Sequence, residues 1–443
     1  MGLFFVMVRV AVVGGGAAGL SAAHELVQLG AHVTLYEQHA VPGGRARSEI
    51  IEGCVVDAGA QLFGSGFTAL FGFAERIGGG HKLVRSPGRD AVWRGGRTHP
   101  ITYGNVASMV TSGALPTALK LKLAARYVPF LMRHGSELDA SDPLSRGGDR
   151  LEGESVAEWG RRELGSDFVE LLAYPLLGAY YGGTPESTSV VLYHALARAG
   201  LDVSVYAIQG GTGSLFQAAV ERLRSNGAVI HLGRGVQRVS NDHDGIFVDH
   251  DRYDGAILAV PPRIAESLFD LDPVTRTWLE GVRYVPSAVL ALVLERRIDT
   301  PYFGISIPRV EPGSDLVAIC VQHQKTEGLV PADRSLLICL GAPGVNAELI
   351  ANPDAAVQRM IDAVERVVPG SRALITRAKL YRHAAGYPLF YPGYLKHLRV
   401  FPLSAQTRRV MLAGDYLVAP TVEGAIRSGA RTARQLFDQL RAI

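Results

Sequence analysis

The stretch from Val8 to Gly59 constrains the fold of this chain more than any other part of the sequence. Val8–Val13 is a short, apolar, β-branched run of the kind that forms a buried parallel strand. It ends at Gly14-Gly15-Gly16-Ala17-Ala18-Gly19, a G-x-G-x-x-G pattern, after which a helix and a second strand over Ala31–Tyr36 are predicted. The second strand leads directly into Glu37. This order of strand, glycine turn, helix, strand and acid is typical of a dinucleotide-binding unit.

Each glycine of the pattern has a separate predicted role. Gly14 permits the tight turn, Gly16 lets the backbone approach a pyrophosphate, and Gly19 lets the helix pack closely on the strand. The free N–H groups at the helix start, around Ala17 and Ala18, are expected to bind the phosphate charge.

The residues after the second strand indicate which dinucleotide is bound. Glu37 is expected to accept hydrogen bonds from the adenosine ribose, with Gln38 beside it. A second glycine turn, Gly43-Gly44-Arg45, follows almost at once, and Asp57-Ala58-Gly59-Ala60 follows that. A nicotinamide dehydrogenase has no use for a second glycine-arginine loop at this place, whereas a large bound flavin does.

This run resembles the FAD-binding start of the flavin amine oxidase superfamily, which includes amine oxidases, protoporphyrinogen oxidases and phytoene desaturases. The resemblance implies that Gly43, Gly44, Arg45 and Ala60 lie against the flavin and pyrophosphate. It also implies that the backbone near Val236 contacts the adenine.

A second flavin motif stands near the other end of the chain, over Val410–Gly429. A predicted strand ends at Gly414-Asp415, and Asp415 is expected to bind the ribityl or pyrophosphate part. The N–H groups and dipole of the following helix can stabilise negative charge on the flavin ring. The predicted cofactor contacts here are Gly414, Asp415, Thr421, Val422 and Ala425. Because no cysteine lies in this stretch, we predict noncovalent FAD.

Length and composition restrict the remaining possibilities. The 443 residues, 47% of them hydrophobic, are enough for two or three domains with substantial cores. A net charge of +3 is too small to indicate nucleic-acid binding. Three widely spaced cysteines form no metal-binding pattern, so we predict no metal site and a reduced, cytoplasmic setting. The apolar start, Met1–Met7, lacks a basic region and is interpreted as an extension of the first strand or a late true start, not a signal peptide.

The predicted fold is α/β, with a Rossmann-type FAD-binding domain, a substrate domain of mixed sheet and a helical insert. The FAD-binding domain is predicted to be discontinuous. Its expected pieces are residues 1–62, 205–265 and 400–443; the substrate domain is expected at 63–90 and 266–399, and a helical subdomain at 91–204. A polar, glycine-rich stretch at Gly135–Gly153 is the best candidate linker.

The segment Ala91–Ser136 contains no aspartate or glutamate but carries six lysines and arginines among apolar residues. Two interpretations stay open. A basic, apolar, partly helical stretch can lie on an anionic membrane surface, here the inner face, or bind anionic groups of a substrate. It can equally be an ordinary core helix with basic residues on its wet face.

The centre of the chain favours one branch of the superfamily. The runs ESVAEWGRRELG and YPLLGAYYGGTPESTS, and the later YPLFYPGY, resemble protoporphyrinogen and coproporphyrinogen oxidases. The sequence departs from that pattern at Thr184, Phe390 and Tyr394. The candidate substrate residues are Arg97, Arg126, Tyr181, Phe390 and Tyr391, the arginines as partners for carboxylates. Amine oxidation is disfavoured because Ser287–Leu294 is apolar where amine oxidases carry a lysine, and because Thr421 replaces an aromatic residue.

The resemblance therefore implies an FAD-dependent oxidoreductase that oxidises a tetrapyrrole precursor by hydride transfer to flavin N5, with dioxygen or another electron acceptor. The alternatives are a desaturase or dehydrogenase of an apolar polyene or isoprenoid, an amine oxidase, and a flavin-retaining protein without turnover. No catalytic acid or base is predicted, because the flavin takes the hydride.

Overall fold

A computed structural model describes residues 8–102, 104–243, 245–401 and 409–442, and Met1–Met7 lies outside them. The first predicted strand, Arg9–Val13, is at the centre of a five-stranded parallel sheet. In spatial order the strands are Val229–Leu232, His32–Glu37, Arg9–Val13, Gly255–Leu258 and Val410–Leu412. Because parallel strands all end at the same edge, residues from distant parts of the sequence meet beyond Val13, Glu37 and Leu412.

Long helices cover this sheet. The helix after the glycine turn, Ala17–Gln28, packs against the final helix, Val422–Arg441. Their backbones touch, since a β-carbon at Gly429 would clash with the Ala18 carbonyl oxygen. A third helix, Gly213–Ser225, packs on Ala17–Gln28 as well.

A seven-stranded mixed sheet forms the second large layer. The predicted apolar strand begins slightly earlier than expected, at Tyr284, and runs to Leu294 between two antiparallel neighbours. Helix Pro353–Val367 contributes Met360 and Val364 to the core on one face of the sheet, and Cys54 and Val56 pack on the other face. The strands, in order, are Ile375–Pro388, Tyr284–Leu294, Ser335–Gly341, Leu316–Val321, Gly304–Ser306, Arg89–Arg94 and Arg97–Thr102.

Three small sheets complete the β-structure of the described ranges. Their strands are Val239–Asp242, Gly245–Val248 and Asp251–Tyr253; Ser48–Ile51 and Cys54–Asp57; and Phe63–Gly64, Val205–Ile208 and Leu83–Arg85. Shorter helices connect these layers, and they are Thr68–Arg76, Pro262–Leu268, Pro273–Glu280, Asn346–Ala351 and Tyr394–Arg399.

The predicted helical segment 91–204 needs a correction at its start. Residues 91–102 belong to two paired strands of the seven-stranded sheet, where Ala91, Val92 and Trp93 are buried. The arginines Arg89, Arg94 and Arg97 stand at the ends of these two strands, so the basic composition of the segment did not reveal them. The α-helices of the insert are Val106–Thr111, Thr117–Lys122, Val128–Arg133, Val156–Glu163, Tyr174–Tyr181 and Val190–Ala199, with π-helical turns at Leu123–Tyr127 and Phe168–Ala173.

The stretch Gly135–Gly153 does not behave as a free linker. Asp142 pairs with Arg431 of the final helix at 2.8 Å, and Asp149 pairs with Arg399. Glu152 is buried and accepts hydrogen bonds from the N–H groups of Leu395 and Lys396, at the start of helix Tyr394–Arg399. The stretch is therefore anchored at its middle and at its C-terminal end.

No helix among residues 8–102, 104–243, 245–401 and 409–442 is long and apolar enough to cross a membrane.

Candidate cofactor and substrate site

The glycine turn after the first strand has the geometry that its pattern predicts. Gly14 has φ +108°, a conformation that side chains disfavour, and its N–H bonds to the Tyr36 carbonyl oxygen. A β-carbon at Gly19 would clash with the Gly14 carbonyl oxygen, so only glycine allows this helix to start so close to the turn. A β-carbon at Gly16, by contrast, would meet no atom within 4 Å. The open side of the turn is therefore at Gly16.

The start of helix Ala17–Gln28 is free to bind an anion. Its N-cap residue is Gly16, so the helix has no side-chain cap within the part of the chain that the structure describes, and no acidic residue stands in its first turn. The unpaired N–H groups and the helix dipole favour a negatively charged ligand group at this point. The turn and the helix start together fit a pyrophosphate.

Glu37 lies beside the glycine turn and is buried. Its carboxylate accepts hydrogen bonds from the Gly15 N–H at 2.7 Å and from the His39 N–H at 2.8 Å. These bonds fix the carboxylate at the end of the second strand, which is the place of a ribose acceptor. Gln38 follows it, and the segment leading to Val236 passes close by, since the Arg234 N–H bonds to the Glu37 carbonyl oxygen.

The second glycine turn closes on the first. The Gly43 N–H donates to the Gly15 carbonyl oxygen at 2.8 Å, and Gly43 has φ +107°. A β-carbon at Gly44 would lie 3.4 Å from the Gly16 Cα. The structure thus brings the two predicted glycine turns together around one opening.

Arg45 joins the two ends of the chain. Its guanidinium forms an ion pair with Asp415 at 2.9 Å and donates to the Gly386 carbonyl oxygen at 2.7 Å. Burial alone lowers the pKa of Arg45, but the Asp415 carboxylate outweighs this effect and the pKa is raised. The predicted contacts Arg45 and Asp415 are therefore brought together, although 370 residues separate them.

The final helix starts next to this pair. The Thr421 hydroxyl accepts a hydrogen bond from the Gly424 N–H at 3.0 Å, so Thr421 is the N-cap. Val422 and Ala425 stand in the first turn, and Glu423 points away, with its carboxylate bonded to the N–H groups of Ala69 and Leu70. The end of strand Val410–Leu412, Gly414 and this helix start lie at the same sheet edge as the glycine turns.

Partly buried tyrosines and a histidine surround the Arg45–Asp415 pair. Tyr284 donates weakly to Asp415 at 3.4 Å, and burial raises its pKa well above the ordinary value. Burial also raises the pKa of Tyr387, although nearby Arg45 opposes it. His383 has a pKa lowered to about 4 by burial and by Arg47 and Arg45, so its ring is neutral at physiological pH. Aromatic side chains thus border the ion pair, as suits a flat organic substrate.

The predicted substrate residues divide into two groups. Tyr181 and Phe390 are buried, and Tyr391 is partly buried with its hydroxyl bonded to the Gly281 carbonyl oxygen. Tyr181 precedes Gly182, at which a β-carbon would clash with the Tyr387 ring. Tyr391 packs on Tyr394, whose hydroxyl donates to the carbonyl oxygen of Tyr416. This group therefore lies next to the Arg45–Asp415 pair.

Arg97 and Arg126 are placed differently. Both are exposed, Arg97 at the edge of the seven-stranded sheet and Arg126 within the insert, where it points toward the Glu163 carbonyl oxygen. Among the described residues, neither contacts Tyr391, Arg45 or Asp415. A basic residue that does contact this group is Arg283, whose guanidinium carbon lies 4.8 Å from the centre of the Tyr391 ring.

Sequence reasoning also missed Arg283, Tyr284, Gly386 and Lys325. Arg283 and Tyr284 stand at the start of a strand, where one charged and one aromatic residue carry no recognisable pattern. Lys325 follows strand Leu316–Val321 in a polar run, QHQKTEG, and such a run predicts a solvent-exposed turn. A basic residue one short turn after a buried strand is the one weak signal that was available.

The comparisons with known proteins agree with this geometry. The family model described as flavin containing amine oxidoreductase matches residues 17–437. The chain is 30% identical over 184 residues to Protoporphyrinogen oxidase 2, chloroplastic/mitochondrial, of Arabidopsis thaliana, which covers 41% of this chain and 34% of that protein. It is 24% identical over 501 residues to Hydroxyneurosporene desaturase of Rubrivivax gelatinosus, covering 98% and 94% of the two chains.

A solved structure extends the comparison to the whole fold. The structure of cyclohexylamine oxidase from Brevibacterium oxydans IH-35A superimposes with a TM-score of 0.74 at 17% identity, covering 98% of this chain and 100% of that one. The predicted α/β fold, with its parallel sheet and mixed second sheet, is thereby confirmed.

Proposed function

Because the chain belongs to the flavin-containing amine oxidoreductase family, and is therefore a flavin-dependent oxidoreductase, we propose that it binds FAD noncovalently and oxidises a porphyrinogen. When bound, the flavin would accept a hydride equivalent from a substrate C–H bond at N5. The residues proposed to hold it are those around the two glycine turns, with Glu37 on the ribose side and Arg45 with Asp415 between the chain ends. The open β-carbon position of Gly16 is the observation that carries the cofactor proposal.

The choice of substrate rests on the central region and on the lysine-free strand. The run Glu154–Ser189 is the part that resembles porphyrinogen oxidases. Tyr284–Leu294 is buried from Ser287 onward and carries no cation. A porphyrinogen is a flexible tetrapyrrole that gains conjugation on oxidation, so the protein has only to orient it and pair its carboxylates.

A polyene desaturase remains the second candidate, since the match to Hydroxyneurosporene desaturase spans nearly both chains. The deciding experiment mixes anaerobic, FAD-loaded protein with coproporphyrinogen, protoporphyrinogen, a polyene precursor or a primary amine and follows bleaching of the flavin absorbance. We expect bleaching by a porphyrinogen. Bleaching by the polyene alone would replace the porphyrinogen proposal, and bleaching by a primary amine alone would replace both.

Arg283 is the proposed carboxylate partner of the substrate, because it lies against Tyr391 whereas Arg97 and Arg126 lie elsewhere. We expect Arg283→Leu to raise the KM for a porphyrinogen about tenfold, the loss of one exposed charged hydrogen bond. Arg97→Leu is the matched control and should leave the KM unchanged. Steady-state kinetics with both variants measures the effect, and an equal change in the two variants would contradict the role of Arg283.

Contact with an anionic membrane is proposed for the helical insert. Leu121 and Met132 are 66% and 62% exposed there, and Val106 and Val110 are exposed as well. Lys122, Arg126 and Arg133 supply positive charge, and the segment 91–136 has no acid to oppose it.

Membrane binding is tested by replacing the exposed apolar side chains. We expect Leu121→Glu with Met132→Glu to lower partitioning onto anionic vesicles at least tenfold, because apolar burial worth about 1.5–3 kcal/mol per side chain is lost. Val274→Glu, at another exposed apolar site, is the control. Vesicle sedimentation measures the partitioning of each protein. Wild-type protein that sediments equally with neutral and with anionic vesicles would contradict an electrostatic contribution.

A further inference from the structure

Lys325 is a fully buried lysine, with 0% of its side chain exposed. Lysine is almost never buried completely unless its ammonium group is paired. Here the ammonium lies 2.7 Å from a carboxylate oxygen of Asp57, which is itself 1% exposed. A weaker contact joins it to the Gln61 amide oxygen at 3.4 Å.

Asp57 connects three parts of the chain. It accepts hydrogen bonds from the Ser48 hydroxyl and from the Thr212 N–H, at the start of helix Gly213–Ser225. Lys325 adds the third connection, from the short turn that follows strand Leu316–Val321. Removing the lysine would leave the Asp57 carboxylate buried without its cation.

The segment that follows Asp57 leads into the proposed flavin site. A β-carbon at Gly59 would clash with the Arg45 carbonyl oxygen, so the segment lies directly against the arginine turn. The Ala60 carbonyl oxygen accepts a hydrogen bond from the Thr212 hydroxyl at 3.0 Å. The Gln61 amide nitrogen donates to the Asp57 and Gly59 carbonyl oxygens, which holds this segment in a tight turn.

A second buried amide completes the network. Gln322 is 0% exposed, and its amide nitrogen donates to the Gln61 amide oxygen at 3.0 Å. The Gln322 amide oxygen is buried and has no hydrogen-bond partner among the described residues. Lys325 and Gln322 therefore both hold Gln61 from the side of the seven-stranded sheet.

We propose that Lys325 is a positioning residue for the flavin, which fixes segment 57–61 against the cofactor and balances the charge of Asp57 beside it. The inference rests on the proposed FAD site. A positive charge near a flavin favours the reduced, more negative form, whereas a negative charge opposes it. Removal of one partner must therefore shift the flavin potential in a direction that depends on which partner is removed.

The test compares Lys325→Met, Asp57→Asn, the double variant and Arg399→Met, the last of which removes a positive charge elsewhere. FAD affinity is measured by fluorescence titration of the apoprotein, and the flavin reduction potential against a reference dye. We expect Lys325→Met to weaken FAD binding about tenfold. It should also lower the equilibrium constant for flavin reduction about tenfold, which lowers the two-electron reduction potential by about 30 mV. Asp57→Asn should move the potential in the positive direction, the double variant should return it toward wild type, and Arg399→Met should change neither quantity.

Opposite signs separate a charge effect from loss of structure, because local unfolding would shift both single variants in the same direction. Should Lys325→Met fail to fold, Asp57→Asn and the double variant still give the direction in which the flavin reduction potential changes. A wild-type chain that binds no FAD would overturn the proposed function and this inference together. Wild-type FAD binding with unchanged potentials in the variants, or shifts of the same sign, would overturn the inference alone.

Discussion

Gly16→Ala should leave the free protein folded and abolish tight FAD binding. The added methyl group meets no protein atom within 4 Å, and Gly16 has φ −77°, which alanine adopts readily. The same methyl group projects into the opening between the two glycine turns, where the pyrophosphate is proposed to lie. We expect the Kd for FAD to rise about 100-fold, roughly 2.7 kcal/mol, while the Tm of the apoprotein changes by less than a few degrees.

Two other glycines make the result decisive. Gly153→Ala adds a methyl group to another open, exposed site and should change neither Tm nor Kd. Gly19→Ala forces a clash with the Gly14 carbonyl oxygen and should destabilise the fold by about 3 kcal/mol, as overpacking does. Calorimetry of the apoproteins and fluorescence titration with FAD measure both quantities. Gly16→Ala protein that binds FAD like wild type would show that the cofactor lies elsewhere.

Arg45→Met is expected to have the second large effect. The variant leaves Asp415, which is 7% exposed, without its cation, and it separates the first and last parts of the proposed site. Because Arg45 is itself 38% exposed, the cost to unfolding should be about 1–2 kcal/mol, less than for a fully buried pair. FAD affinity should fall further, by about 100-fold or roughly 2.7 kcal/mol, since both residues are proposed to contact the cofactor.

A double-mutant cycle shows whether the pair acts as a unit. Asp415→Asn removes the charge of the other partner, and Arg45→Met with Asp415→Asn removes both. We expect the double variant to bind FAD no more weakly than the worse single variant, a coupling of about 1–2 kcal/mol. Strict additivity of the two single effects would mean that Arg45 and Asp415 contribute independently.

The strands of the parallel sheet were predictable because their determinants are local. Val10–Val13 is apolar and β-branched and stops at glycine, and the strand before Glu37 has the same character, so pattern and structure agree within a residue or two. The two glycine turns and Asp415 could be assigned for the same reason. Their meeting at one edge then follows from parallel pairing alone.

What sequence could not provide was the environment of single charged residues. Arg97, Arg126 and Lys325 each stand among polar or mixed neighbours, yet the first two are exposed and the third is fully buried. Burial of Lys325 depends on Asp57, which is 268 positions away, and a one-dimensional pattern carries no trace of such a pairing. Residues 91–102 were misassigned because strand formation there depends on neighbours supplied by distant strands.

The contact between Arg45 and Asp415 also has a consequence for biosynthesis. The central strand, Arg9–Val13, gains its neighbour Gly255–Leu258 only after residues 14–254 have been made, and the sheet is completed by Val410–Leu412. Asp415, the partner of Arg45, is made later still, so the proposed site cannot be complete until Asp415 has left the ribosome. Until then the strand–helix–strand unit Arg9–Glu37 keeps part of its apolar surface exposed, and such partly folded states are prone to aggregation. The proposed cofactor site is therefore complete only after Asp415 has emerged, 370 positions after Arg45, and the yield of folded protein should depend on the FAD and chaperones available from that point on.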